Sequence, residues 1–176
     1  MRLTWVFAAL VVAVTASALT VKKASVKKLT EDAALIVRGK VVAQTPRWVD
    51  GNIFTFVTLA IDEQLKGDYR GKTVVVKNYG GTVGDLGQEV TGAPVFSAGE
   101  EVLLLLTFWK GEYMIHSIAL GKFSIVQEKG ERYAINDLTN VTLVDPATHQ
   151  EFTSPAEKFN KVKLETLLQQ IRAFAK

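Results

Sequence analysis

"IFTFVTLAIDEQL" (Ile53–Leu65) alternates along most of its length. Ile53, Thr55, Val57, Leu59 and Ile61 fall on one face of an extended chain, and Phe54, Phe56, Thr58 and Ala60 on the other. Apolar groups on both faces predict a strand covered on both sides, by the interior of a closed barrel and by a helix. Asp50-Gly51, just upstream, is a hairpin-turn dipeptide. It joins this strand to "LIVRGKVVAQ" (Leu35–Gln44), a first strand rich in β-branched residues, in which Gly39 marks a bulge or bend.

The same signals recur downstream. "KGDYRGK" turns the chain into "TVVVKNY" (Thr73–Tyr79), and "EVLLLLTFW" (Glu101–Trp109) is an apolar run of strand length. Lys110-Gly111-Glu112 turns it into "YMIHSIAL" (Tyr113–Leu120), and "GKFSIVQ" and "RYAIN" are short strands joined at "EKGE". Strands of this length and spacing predict an antiparallel barrel or sandwich. The C-terminal stretch reads as an amphipathic helix opened by Ser154 as N-cap, Pro155 at the first helical position and Glu157 completing a capping box. Its apolar stripe (Phe159, Val162, Leu167, Leu168, Ile171, Phe174) is suited to packing on the barrel. The expected fold is mainly β: a closed or partly open antiparallel barrel over residues 35–145, a short helix within the basic segment 19–34, and a helix over 154–176.

The N-terminus has a different character. Arg2, an apolar run from Leu3 to Val14 and the A-x-A arrangement Ala16-Ser17-Ala18 are the layout of a secretory signal peptide over residues 1–18. The run is shorter than the roughly 20 residues that span a bilayer as a helix, so export with cleavage after Ala18 is expected, to the periplasm or outside the cell. No transmembrane segment is expected in the mature chain. Lys22, Lys23, Lys27 and Lys28 follow as two basic pairs. They suit either contact with an anionic membrane surface or a solvated lead into the first helix.

Composition narrows the chemistry. A length of 176 residues suits one domain, and 48% hydrophobic with 22% charged residues is a globular balance. The net charge of +3 is too small an excess to imply nucleic acid. With no cysteine, disulfides, thiolate metal sites and a cysteine nucleophile are excluded, and with His116 and His149 as the 2 histidines, so is a multi-histidine zinc site. No metal and no cofactor are expected.

Two glycine motifs invite a phosphate reading, and both fail mechanically. "GDYRGKT" (Gly67–Thr73) has the wrong spacing for a nucleotide-binding loop, and Thr73 opens a strand where a helix N-terminus is required. "NYGGTVGDLG" (Asn78–Gly87) follows a strand but leads into no helix, so its glycines serve backbone conformations that other residues avoid. No serine lies in a nucleophile elbow. The adjacent carboxylates Glu100-Glu101 and Asp62-Glu63 point to opposite faces of a strand, so no catalytic residue is assigned. Phe54, Phe56 and Tyr79, with Lys77 and Arg70, resemble a base-stacking set; export argues against nucleic acid, and packing explains the aromatics. The connection Gly80–Glu100 is longer than a barrel needs, and long loops carry binding functions. The candidate binding residues are therefore Tyr79, Gly80, Gly81, Gly84, Gly87, Pro94 and Phe96.

Taken in order, Val37-Arg38-Gly39-Lys40-Val41, Leu65-Lys66-Gly67, Gly80-Gly81, Gly92-Ala93-Pro94-Val95-Phe96 and Gly99-Glu100 resemble a group of exported bacterial proteins of uncharacterised function. The resemblance covers about residues 30 to 127. It implies a netrin-like barrel of the oligonucleotide-binding type, similar to that of tissue inhibitors of metalloproteinases, and a metalloprotease as a candidate partner. The animal inhibitors ligate zinc through an N-terminal cysteine, which this chain lacks. The expectation is an exported, non-enzymatic binding or assembly module that recognises a protein through its Gly-rich loop. An envelope scaffold touching anionic lipid, and a carboxylate-based hydrolase, stand as the alternatives.

Overall fold

The computed structural model describes residues 19–22, 24–138, 141–144, 147–148, 151–152 and 159–175. Residues 1–18, expected as a leader, and Ser154-Pro155-Glu157, expected as a capping box, lie outside them.

The chain opens with β1 (Leu19–Lys22) and α1 (Val26–Asp32). Ser25 caps the helix, its hydroxyl accepting from the Lys28 amide at 3.2 Å. The Lys66 ammonium donates to the carbonyls of Thr30 and Glu31 at 2.7 and 2.8 Å, which satisfies the far end. Two of the basic residues noted above are held within the helix: Lys27 pairs with Glu31 at 3.8 Å and Lys28 with Asp32 at 2.7 Å.

The long hairpin β2 (Leu35–Val49) and β3 (Asn52–Lys66) comes next, followed by β4 (Thr73–Tyr79). After a small hairpin, β5 (Gly81–Val83) and β6 (Leu86–Gln88), the chain returns as β7 (Glu101–Trp109) and β8 (Glu112–Ile115). Strands β2, β3, β4, β8 and β7 close into a ring, every pairing antiparallel except the parallel seam between β4 and β8. The expected barrel is therefore present. Its tight turns carry their signals in the sequence: Asp50-Gly51, Lys110-Gly111 and Lys129-Gly130 all have positive φ at both positions, which matches the right-handed twist of the strands they join. Gly39 sits at a register shift, where a Cβ would stand 2.0 Å from the Ala60 carbonyl oxygen.

Beyond the ring, β9 (Lys122–Glu128), β10 (Glu131–Asp137) and β13 (Phe159–Lys163) extend the sheet from β7. A small separate sheet joins β1, β11 (Val141–Val144) and β12 (Glu151–Phe152). The last element is α2 (Leu164–Phe174).

Two expectations need correction here. Phe159–Lys163 is not the start of the terminal helix but a strand paired antiparallel to β10: a neighbour that supplies backbone partners overrides local helical periodicity. "YMIHSIAL" is strand only to Ile115, after which Ser117 and Ile118 adopt positive φ and turn the chain back.

The core is double. Leu35, Val37, Val41, Val57, Leu59, Val74, Val76, Val102, Leu104 and Leu106 fill the barrel, closed by Phe96 and Ile115. The intervening residues Ile36, Leu103 and Leu105 point outward and meet Leu29 of α1, Phe123 and Ala134 of the extended sheet, and Leu164, Leu167, Leu168 and Ile171 of α2. Strict alternation thus divides β2 and β7 between two hydrophobic clusters. An ion-pair relay follows the same outer face. Arg172 bonds Glu63 at 2.6 Å, Arg38 bonds Glu63 at 3.2 Å and Glu101 at 2.8 Å, and Arg132 bonds Glu101.

Candidate functional site

The Gly-rich stretch folds as the hairpin β5–β6 and is clamped onto the β2–β3 ribbon. The Gly80 amide donates to the Ile53 carbonyl at 2.9 Å, and Thr55 Oγ1 donates to the Gly80 carbonyl at 2.8 Å. The Ile53 amide donates to Gln88 Oε1 at 2.6 Å, and Gln88 Nε2 donates to Asn52 Oδ1 at 3.2 Å. Gly81, at φ 137°, lies so close that a Cβ would stand 2.4 Å from Thr55 Oγ1, and at Gly80, φ 83°, a Cβ would stand 2.7 Å from the Gln88 carbonyl oxygen. Gly84, at φ 59°, occupies the turn with open space around it, while a Cβ at Gly87 would make only an ordinary contact with Thr82. The glycines therefore divide: two permit close approach, one makes a turn, and one meets no such demand.

The remaining candidates lie along the same loop and its base. Tyr79 is 37% exposed, its ring 5.3 Å from that of Phe54. The Pro94 carbonyl accepts from Asn78 Nδ2 at 2.9 Å, and the Phe96 carbonyl from Gln44 Nε2 at 3.2 Å. Those bonds pin the loop across the barrel mouth, where the Phe96 side chain is buried in the barrel core. The clamp residues Asn52 and Gln88 carry no local motif in the sequence. This end also presents apolar side chains beyond the expected set: Trp48 is 49% exposed, Leu86 61% and Val95 81%. A hydrophobic residue at a hairpin turn, as at Leu86, was the available signal.

The outer face of β3 and β4 carries the aromatic and basic residues together. Lys77 Nζ stands 4.4 Å from the Phe54 ring centre and 5.9 Å from that of Phe56, and Arg47 lies 5.1 Å over Phe56. Lys77 also pairs with Glu112 at 2.7 Å. Arg70 instead sits on the β3–β4 connection, 3.8 Å from Asp68.

A cleft of about 280 Å³ opens beside the loop, lined in part by Pro94, Val95, Glu100, Lys122 and Ser124. Lys122 Nζ donates to Glu100 Oε1 at 2.6 Å and to Ser124 Oγ at 2.9 Å, and Ser124 donates to the same carboxylate oxygen at 2.6 Å. The Ser97 amide bonds Glu100 Oε2 at 2.9 Å. Burial alone would push the Glu100 carboxyl up, but its bonds from Lys122, Ser124 and Ser97 outweigh that and hold it below the usual range. A carboxylate so stabilised is a weak base toward Ser124, and the arrangement acts as a strut tying the loop's end to β9. The strut joins Glu100 to residues far along the chain, so no local motif announces it. Among the described residues no group of His, Asp and Glu is placed to hold a metal ion, and no helix is long and apolar enough to cross a membrane.

No family model matches this chain, and neither a curated protein nor a solved structure shows significant similarity to it.

Proposed function

We propose that this chain is an exported, non-enzymatic binding module that recognises a protein partner through the joined hairpins at the Gly-rich end of its barrel. The observation that carries the reading is the clamp itself. Gln88, Gly80 and Thr55 fasten β5–β6 to the β2–β3 ribbon, and the preformed end so built presents Trp48, Leu86 and Val95 to solvent. A rigid scaffold with a few exposed apolar anchors binds with little ordering cost. The leader-like residues 1–18 support export, and cleavage after Ala18 would leave every element described above in place. The netrin-like resemblance makes a metalloprotease the partner class. Without a cysteine, contact would run through the hairpin ends and not through a thiolate on zinc.

The test is affinity capture from the native envelope and culture medium, with the full chain and its Leu86→Asp/Val95→Asp variant in parallel. We expect one dominant protein to be retained by the former and lost from the latter, with the thermal transitions of the two coinciding. Equal retention by both would overturn the assignment of this surface.

A further inference from the structure

The opposite end of the barrel carries a second apolar projection. Strand β7 pairs with β2 only up to Leu106, opposite Leu35, and beyond it Phe108 and Trp109 have β8 as their sole strand partner. Both are exposed, 56% and 58%, and as consecutive strand residues they point to opposite faces of the ribbon. A protein docking on one face of this tip would leave the other aromatic in water. A medium that surrounds the tip would cover both.

The charges around it are of both signs, but the acidic ones are paired and basic ones are left over. Lys110 forms the turn, its ammonium 4.4 Å over the Trp109 ring. The β3–β4 connection lies alongside, placed by the edge-to-face contact of Tyr69 with Tyr113 at 5.7 Å, and brings exposed Arg70 and Lys72. Asp68 offsets Arg70, and Glu112 is taken up by Lys77. Lys72 and Lys110 have no carboxylate partner among the described residues. Exposed aromatic rings with an unpaired lysine at the turn suit the interface of a bilayer, where Trp sits at headgroup depth and lysine meets phosphate.

We propose that the Phe108-Trp109-Lys110 tip inserts into the interfacial layer of an anionic lipid bilayer. This surface is distinct from the Gly-rich end, so the protein-binding reading can fail without it. Trp5→Phe and Trp48→Phe leave Trp109 as the sole tryptophan, which makes the probe local and independent of the leader. The full chain is mixed with vesicles of phosphatidylglycerol and phosphatidylcholine, or of phosphatidylcholine alone, with brominated acyl chains as quenchers. The expected result is a blue shift and strong quenching of Trp109 on the anionic vesicles, weakening as salt rises. Lys110→Ala should lower the affinity about fivefold. Phe108→Ser should abolish the quenching while the circular dichroism spectrum is retained. Trp109 emission unchanged by anionic vesicles, or quenching that survives Phe108→Ser undiminished, would overturn the proposal.

Discussion

Strand β7 has Val102, Leu103, Leu104, Leu105 and Leu106 all at 1% exposure or less. Strand β3 buries Ile53, Val57 and Leu59 as completely, but its other face, with Phe54, Phe56, Thr58 and Ala60, is only half covered. Apolar groups on both faces predicted two-sided cover for β3, and the helix that would supply it sits elsewhere. Helices α1 and α2 pack on each other and over β2, β7 and β10, reaching β3 near its end through Leu65 and Glu63. An unbroken apolar run, as in β7, marks a strand shared by two cores. An alternating run with threonine among its aromatics marks one core and a surface.

The largest test of that contrast is truncation. Leu104→Ala in β7 should cost about 3 kcal/mol by denaturant unfolding, with the cavity adding to the lost transfer energy. Phe56→Ala in β3 should cost about 1 kcal/mol, because its ring is already wet on one side. Equal losses would mean that the outer face of β3 packs as tightly as the interior. Gly81→Ala comes next, at about 2 kcal/mol, since both the φ of 137° and the approach of Thr55 oppose a side chain. Gly87→Ala, with neither constraint, should be nearly silent.

A smaller effect comes from acid. Hydrogen bonds from Arg172, and from Arg38 against the opposing pull of burial, hold the Glu63 carboxyl below its ordinary value of 4.5. A lowered carboxylate pKa means that the unfolded chain binds the proton more readily. The contribution is therefore complete above about pH 4.5 and is lost as pH falls through the folded value. Glu63→Gln should flatten the acid limb of the stability profile and leave the neutral plateau lower. The smallest expected change is a gain. Thr30 is fully buried and its hydroxyl has no hydrogen-bond partner among the described residues, so Thr30→Val should raise stability by up to about 1 kcal/mol.

Turns and alternation made most of the barrel legible. Asp50-Gly51 and Lys110-Gly111 each stand between strands where the dipeptide chemistry places a hairpin. What stayed hidden depended on partners distant in sequence. Phe159 and Val162 stand at helical spacing, and only the backbone partners that β10 supplies make the stretch a strand. Gln88 is an ordinary polar residue until Ile53 and Asn52 meet it. Glu100 could be seen as a carboxylate but not as a strut, because Lys122 and Ser124 reach it from β9.

The ring closes unevenly. Strands β3 and β4 are in register from Phe54–Tyr79 to Ala60–Thr73, whereas the parallel seam of β4 with β8 rests on Val76 opposite Tyr113 and Lys77 opposite Met114, reinforced by the Lys77–Glu112 pair. A seam that short is where the barrel unzips first. Native-state hydrogen exchange should show the amides of β8 opening well below the global unfolding free energy, while those of Leu103 to Leu105 exchange only when the whole molecule lets go.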